Sequence, residues 1–120
     1  MILGTGVDIV QILRFTDIDS KPHLMNKLFT INEQEYLKIK KAQSAAGLFA
    51  GKEAVVKAMG CGFKNFYPNA VEILHTSLGK PYVKLHGNAE ALLKKEWAIH
   101  ISISHSQTDA IAFAVIEASI

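Results

Sequence analysis

The sequence predicts an α+β fold in which a largely antiparallel sheet packs on one long buried helix. A run of apolar and small residues from about 43 to 59 has the length and composition of a buried helix. Two apolar runs near the carboxyl end, "AIHISIS" and "AIAFAVIEA", flank the polar turn "HSQTD" and predict a hairpin. No repeat or linker divides the 120 residues, so we expect a single domain over 1–120.

The first half of the chain is predicted to hold one strand and several helices. Residues 2 to 10 are rich in Ile, Leu and Val and predict a buried strand. Short helical pieces are expected over 11 to 29. Thr30 followed by Glu33 has capping-box spacing, which predicts a helix to about Lys41, and the long helix follows.

The second half is predicted to be mostly strands. Strands over about 70 to 76 and 81 to 86 are joined by "SLGK", a connection short enough for a hairpin. A short helix opened by Asn88 as its cap precedes the final pair of strands.

Composition excludes several classes of protein. Thirteen basic and eleven acidic residues give a net charge of +2, which is too small to favour a nucleic-acid partner. No apolar run approaches the ~20 residues of a membrane span, and the amino terminus lacks signal-peptide features. The single cysteine, Cys61, fits a reducing compartment, so we expect a cytoplasmic protein. The histidines show no zinc-ligand spacing.

Three charges interrupt the long helix. At about 100° per residue, its apolar and small side chains leave a narrow sector that contains Glu53 and Lys57, one turn apart, while Lys52 points about a quarter-turn away. Two interpretations stay open from this helix alone. In one, Glu53 and Lys57 form an exposed ion pair, and the aliphatic part of Lys52 lies on the apolar surface with its ammonium in solvent. In the other, the three charges belong to a functional site.

The first strand favours a site. Alternation places Gly4, Gly6 and Asp8 on one face, so the carboxylate stands beside positions without side chains. If the helix that carries Glu53 crosses this strand, two carboxylates and Lys57 meet beside a glycine-lined opening. Few, hard oxygen ligands suit Mg²⁺ that shares its coordination with substrate phosphates. Phosphoryl chemistry is the natural candidate, although Asp8 in the alternative simply caps the following segment.

Other polar residues allow two interpretations each. His105 ends the strand "ISISH", where it can bind phosphate or serve as a turn residue, and Lys80 in "GKP" can contact an anion or belong to a plain turn. A basic patch formed by Arg14 and the lysines at 21, 27, 38, 40 and 41 fits an anionic partner, whereas in the alternative the last three lysines only form a solvated helix end.

Two stretches resemble the phosphopantetheinyl transferases. "GTGVDIV" at 4 to 10 is similar to the amino-terminal motif of that family, and "FAGKEAVVKAMGCG" at 49 to 62 is similar to its F-x-x-K-E-x-x-x-K motif. The length, the "GKPYV" hairpin and the closing "SISHS" are similar to the small bacterial holo-[acyl-carrier-protein] synthases. The resemblance covers nearly the whole chain and implies the phosphopantetheinyl transferase fold.

The resemblance implies transfer of the 4′-phosphopantetheine arm of coenzyme A to a serine of apo acyl carrier protein, with release of adenosine 3′,5′-bisphosphate. It implies Asp8 and Glu53 as Mg²⁺ ligands, with Lys57 either holding phosphate or deprotonating the serine. It further implies a role in fatty acid biosynthesis and a homotrimer with active sites between subunits. The implied substrate-binding residues are Lys52, Lys80, His105 and Arg14.

The sequence departs from the family pattern at two positions. Leu48 stands where members commonly carry Arg, and Cys61 stands where Thr is more common. Two other classes of function remain as alternatives: a magnesium-dependent phosphohydrolase acting on a small nucleotide, and a non-catalytic trimeric binding module in which the carboxylates only balance the lysines.

Overall fold

The computed structural model describes residues 1–119 and confirms the predicted order of elements. Their bounds are β1 (Ile2–Gln11), 3-10 turns at Ile12–Phe15 and Ile18–Ser20, α1 (Pro22–Leu28), α2 (Ile31–Ile39), α3 (Ala42–Met59), a 3-10 turn at Pro68–Ala70, β2 (Val71–His75), β3 (Pro81–Leu85), α4 (Gly87–Glu90), β4 (Trp97–His105) and β5 (Asp109–Ala118).

The strands form two antiparallel sheets. One has the order β1-β5-β4, and the other is the hairpin of β2 and β3. Pairing of Asp8 with Ala112, and of Ala112 with Ile103, places these three residues in one row across the larger sheet. The α+β fold with a largely antiparallel sheet on a long helix is therefore confirmed.

Helix α2 begins as predicted and ends earlier. The Thr30 hydroxyl accepts a hydrogen bond from the Glu33 backbone N–H, and the Glu33 carboxylate accepts one from the Thr30 N–H at 2.8 Å. The helix ends at Ile39 instead of Lys41, and α3 begins at Ala42. The two helices therefore meet at a tight corner made of Lys40 and Lys41.

The predicted cap of α4 is wrong. His86 occupies the N-cap position, and Asn88 lies inside the helix. The Asn88 amide instead donates to the Asn65 carbonyl at 2.7 Å, so its side chain holds the preceding loop.

The inner face of the larger sheet packs against α3. Small side chains face each other across this contact, because β5 presents Ala110, Ala112 and Ala114 while α3 presents buried alanines of its own. The helix ends at Gly60, whose φ of 75° lies in the left-handed region that favours glycine.

Gly4 and Gly6 do not leave the opening that the sequence analysis expected. A Cβ at Gly6 would stand 1.9 Å from the Ala54 carbonyl oxygen, and one at Gly4 would stand 2.1 Å from that of Ala58. The backbone of α3 fills the space instead. The glycines thus set how closely β1 and α3 approach, and they bring Asp8 alongside the helix.

Residues 2 to 10 form the predicted strand, but the prediction that it is buried is wrong, because only its inner face packs on α3 and its apolar outer face, paired with β5, is exposed. Val7 pairs with Phe113 and Ile9 with Ile111, and their exposed fractions are 52%, 47%, 65% and 43% respectively. We call these four residues the outer apolar face. None of the helices in residues 1–119 is both long enough and apolar enough to span a bilayer.

Candidate active site

Asp8 and Lys57 form the centre of the site. The Lys57 ammonium lies 3.2 Å from Asp8 Oδ1 and donates to the Val7 carbonyl oxygen at 2.9 Å. The Asp8 side chain is 18% exposed and that of Lys57 is 52% exposed. The close contact between β1 and α3 therefore produces a solvent-accessible ion pair at the edge of the sheet.

Glu53 completes this cluster one helical turn before Lys57. Burial raises the pKa of Glu53, and the Asp8 carboxylate raises it further, whereas Lys57 and Arg14 lower it. The side chain is half-buried. The Asp8 carboxylate thus disfavours ionisation of Glu53, and the cations Lys57 and Arg14 oppose that effect.

Arg14 stands above the aromatic residues next to this cluster. Its guanidinium carbon lies 5.6 Å from the ring centre of Phe49 and 6.0 Å from that of Phe15. Those two rings pack on each other at 5.5 Å. Phe49 precedes Glu53 by one turn, so Arg14, Phe49, Glu53 and Lys57 lie along one side of α3.

The carboxylates fit a magnesium ion that is shared with a ligand. Within residues 1–119, no three His, Cys, Asp or Glu side chains form a metal cluster. Mg²⁺ commonly uses one or two carboxylates and takes its remaining ligands from water and phosphate. Burial and then Asp8 raise the pKa of Glu53, so the two carboxylates lie close enough to interact, and a divalent cation held by both would favour the ionised form of Glu53.

Lys52 lies in the interior, away from this cluster. Its side chain and that of Glu33 are both 0% exposed, and its ammonium lies 2.7 Å from both Glu33 carboxylate oxygens. It also donates to the Val71 carbonyl at 2.6 Å. Burial lowers the pKa of Lys52, and Glu33 opposes that shift.

The expectation that Lys52 contacts substrate phosphate does not fit this arrangement. Glu33 accepts from the Thr30 and Ile73 backbone N–H groups as well as from Lys52, so the buried pair connects α2, α3 and β2. An ammonium enclosed in this way has no open side for a ligand.

His105 and Lys80 belong to a different place. A cleft of about 200 Å³ is bordered by α3, the β2–β3 hairpin and the end of β4. His105 lines this cleft, as do Gly79 and Pro81 on either side of Lys80, but Asp8, Glu53 and Lys57 do not. The structure therefore groups the predicted site residues into a carboxylate cluster and a separate histidine cleft.

Sequence reasoning missed several polar residues. Glu33 was identified as part of a capping box, but nothing local indicated its burial against Lys52. His75 stacks on Tyr36 in the histidine cleft with ring centres 4.3 Å apart, and burial together with Lys40 lowers the pKa of His75. Both features depend on residues distant in sequence, and no local motif marks them.

The two residues that depart from the family pattern are buried or half-buried. Leu48 is buried and lines the histidine cleft. Cys61 is half-buried, and burial raises the pKa of its thiol, which reduces the reactive thiolate.

Comparison with known proteins agrees with the motifs and the fold. The chain matches the 4′-phosphopantetheinyl transferase superfamily over residues 4–116. It therefore belongs to that superfamily, and it is an enzyme of the phosphopantetheinyl transferase type.

The similar proteins include enzymes with a more specific name. Holo-[acyl-carrier-protein] synthase from Clostridium botulinum (strain Alaska E43 / Type E3) is 47% identical, with 98% of each chain covered. A crystal structure of holo-(acyl-carrier-protein) synthase from Bacillus anthracis str. Ames in complex with CoA (3′,5′-ADP) has a TM-score of 0.82 at 33% identity, with 99% of each chain covered. The enzyme from Helicobacter pylori, in complex with coenzyme A, has a TM-score of 0.75 at 29% identity and covers 94% of this chain and 99% of its own.

Proposed function

We propose that this protein transfers the 4′-phosphopantetheine arm of coenzyme A to a serine of apo acyl carrier protein in a Mg²⁺-dependent reaction. Adenosine 3′,5′-bisphosphate is the other product, and the holo carrier protein serves fatty acid biosynthesis in the cytoplasm. One catalytic domain over 1–120 carries the activity. The observation that carries this proposal is the meeting of Asp8, Glu53 and Lys57 at the contact of β1 with α3.

Asp8 and Glu53 are the residues that would hold the metal. When bound there, Mg²⁺ supplies charge neutralisation for the pyrophosphate and for the leaving phosphate. Asp8 is fixed by β1 and by its contact with Lys57, and Glu53 is fixed by the rigid helix. The chain thus presents both carboxylates from elements whose separation the glycines determine.

Lys57 acts as a cation that holds phosphate. Its two hydrogen bonds go to the Val7 carbonyl and the Asp8 carboxylate, which orient the ammonium beside the carboxylates. The third ammonium hydrogen remains for a phosphate oxygen. Arg14, stacked on Phe49 beside Glu53, extends the positive charge toward the acidic carrier protein.

A homotrimer explains why His105 and Lys80 lie apart from the carboxylates. The outer apolar face is continuous, and an exposed apolar patch of this kind marks an interaction surface. A second copy of this chain is its occupant. Closure of three copies brings the histidine cleft of one subunit toward the carboxylate cluster of another, where His105 and Lys80 contact coenzyme A.

Intact mass of a purified apo acyl carrier protein tests the proposal. After incubation with the enzyme, coenzyme A and Mg²⁺, we expect a gain of about 340 Da, which corresponds to one phosphopantetheine. Asp8→Ala, Glu53→Ala and EDTA each abolish the gain. Glu96→Ala, which removes an exposed carboxylate elsewhere, retains it.

Failure to modify several carrier proteins, by a folded enzyme with coenzyme A and Mg²⁺ present, would contradict the transferase function. Release of phosphate from a nucleotide without any carrier protein would instead support the phosphohydrolase alternative. Coenzyme A binding that is indifferent to Mg²⁺ would support a binding module.

A further inference from the structure

The histidine cleft has no Lys or Arg side chain in its lining. Within residues 1–119, the basic side chains that line it are those of His75 and His105. Leu48 forms part of its wall and is 2% exposed, at the position where the family commonly carries Arg. Recognition of a phosphate in an enclosed site depends on a guanidinium or an ammonium that donates charge-assisted hydrogen bonds. The cleft therefore lacks the usual means of holding a phosphate.

His75 offers the cleft a flat ring instead of a charge. Burial, and to a smaller extent Lys40, lowers the pKa of His75, so its imidazole is neutral at pH 7. The ring lies nearly parallel to that of Tyr36, with an interplanar angle of 11° and ring centres 4.3 Å apart. A stacked pair of this kind suits a planar, uncharged ligand.

The size of the cleft limits its ligand to one ring. Its volume is about 200 Å³, whereas a pocket that holds a whole small molecule has about 300–1,000 Å³. Gly47 and Gly79 line it without side chains, so a planar group can lie close to the backbone. Of the parts of coenzyme A, only the adenine is both planar and uncharged. The cleft therefore fits the base of the nucleotide and leaves its phosphates outside.

Two lysines stand beside the cleft, but both are exposed. Lys80 lies between two lining residues, Gly79 and Pro81. Lys40 is close enough to His75 to affect its pKa. Because an exposed ion pair contributes little, contact of a phosphate with either lysine changes affinity by about fivefold or less. A guanidinium at position 48 would be enclosed by the cleft, where the same contact is stronger.

We propose that dephospho-coenzyme A, which lacks the 3′-phosphate, is a second donor of the phosphopantetheine arm, and that Leu48 is responsible for this tolerance. The inference rests on the proposed function and names a further substrate of the same site. The cleft holds the adenine against Leu48, Tyr36 and His75, and it exerts no selection for the 3′-phosphate.

The reaction with this donor breaks the same bond as the reaction with coenzyme A. The serine Oγ of the carrier protein bonds to the phosphorus that carries the pantetheine arm, and the bond from this phosphorus to the bridging oxygen of the pyrophosphate breaks. The serine proton passes to solvent, and the electron pair of the broken bond stays on the departing adenosine 5′-monophosphate. Only the nucleotide product differs, because the 3′-phosphate takes no part in these bond changes.

Steady-state kinetics with the two donors tests the inference. With apo acyl carrier protein and Mg²⁺, we expect kcat/KM for dephospho-coenzyme A to lie within about tenfold of the value for coenzyme A. The carrier protein gains the same mass from either donor, and chromatography identifies adenosine 5′-monophosphate as the product of the first. In Leu48→Arg, we expect the preference for coenzyme A to increase at least about tenfold, because an enclosed guanidinium pairs with the 3′-phosphate.

Two further variants control for total charge and for folding. Leu92→Arg adds the same charge at a position that is 47% exposed and outside the cleft, and we expect the parent ratio of the two donors. Gln43→Arg places a guanidinium on an exposed residue of the lining, and we expect the preference for coenzyme A to increase about threefold or more. It leaves the buried wall unaltered, so it provides the test if Leu48→Arg unfolds. Thermal unfolding by circular dichroism verifies that each variant is folded.

Three results would overturn the inference. A parent enzyme whose kcat/KM is more than about tenfold lower with dephospho-coenzyme A would show that it does select for the 3′-phosphate. An unchanged ratio in every folded variant of the cleft would show that the cleft does not hold the nucleotide. An equal increase in Leu92→Arg would assign the preference to total charge. Failure of the proposed function is a separate outcome, because neither donor would then modify any carrier protein.

Discussion

At the scale of single residues, the two lysines of the long-helix motif have different environments. Lys52 is enclosed with Glu33, whereas Lys57 reaches solvent beside Asp8. A buried ion pair that loses one partner leaves an uncompensated charge, while a largely exposed one loses little. The two positions five residues apart in one helix therefore have separable roles in stability and in activity.

Replacement of each lysine by methionine separates these roles. We expect Lys52→Met to lower the free energy of unfolding by about 3–5 kcal/mol, since Glu33 stays buried without its partner. Lys57→Met changes it by less than about 1 kcal/mol but removes most of the transferase activity. Urea unfolding measures the change in the free energy of unfolding of each variant, and initial rates measure the change in its activity. Equal destabilisation by the two substitutions would contradict these assignments.

Glu53 gives the metal-free enzyme a pH dependence. Its pKa in the folded protein is raised above the ordinary value of 4.5, first by burial and then by Asp8. As pH rises from that value through the folded pKa, the folded state holds more protons than the unfolded one, so the free energy of unfolding decreases. We expect Glu53→Gln to remove this decrease, as measured by urea unfolding at a series of pH values.

The affinity for Mg²⁺ is expected to depend on the ionisation of Glu53. Mg²⁺ binds the ionised carboxylate, so its affinity increases with pH over this interval, and titration calorimetry measures the change. An affinity that stays constant while Glu53 titrates would show that Glu53 is not a ligand.

At the scale of elements, the contact between β1 and α3 determines the site. The Gly6 position lies against the Ala54 carbonyl, and a Cβ there meets a backbone atom that cannot rotate away. Gly47 differs, because a Cβ there would stand 3.0 Å from a methyl group of Ile103, which can shift. We therefore expect alanine to be much more disruptive at Gly6 than at Gly47.

We expect Gly6→Ala to destabilise the protein by at least about 2 kcal/mol and to reduce activity more than stability alone explains, because Asp8 moves away from Glu53. We expect Gly47→Ala to change the stability little. The higher helix propensity of alanine, about 1 kcal/mol, offsets the tighter contact with Ile103. Thermal unfolding and initial rates at a temperature where both variants are folded provide the measurement. Full activity of Gly6→Ala would contradict this role of the contact.

At the scale of the whole molecule, the outer apolar face is the interface of the proposed trimer. Phe113→Ser places a polar group in the proposed interface, and we expect it to convert the trimer to monomers with little change in the fold of each chain. Leu78→Ser at the hairpin tip, where the side chain is 96% exposed, is the control. Light scattering after size-exclusion chromatography measures the mass.

Activity should follow the assembly state, because the histidine cleft and the carboxylate cluster lie apart in one chain. A monomeric Phe113→Ser protein with full activity would show that one chain suffices. A monomeric parent protein would contradict the trimer itself.

Local patterns were enough to predict most elements. The Thr30 and Glu33 spacing predicted the start of α2, and the run of small residues predicted α3 to within one residue at its start. Alternation placed Asp8 on the face that meets α3, and the helical period placed Glu53 beside Lys57. These predictions succeed because each depends on neighbours in sequence, whose geometry the backbone fixes.

The environments of the glycines and of Lys52 could not be predicted from local sequence patterns. A glycine leaves space for a ligand or for another backbone, and only the position of α3 decides between them. Lys52 has the same local pattern whether it reaches solvent or meets a buried carboxylate contributed by a helix 19 residues earlier.

The sequence by itself determined the family, the α+β fold and the two carboxylates on neighbouring elements, because motif spacing and periodicity are local properties. The tertiary structure alone decided that α3 fills the glycine face, that Lys52 is a buried structural cation and that His105 lies in a separate cleft. Each of these depends on how distant elements pack, since close packing leaves only one of the locally allowed environments open to a side chain.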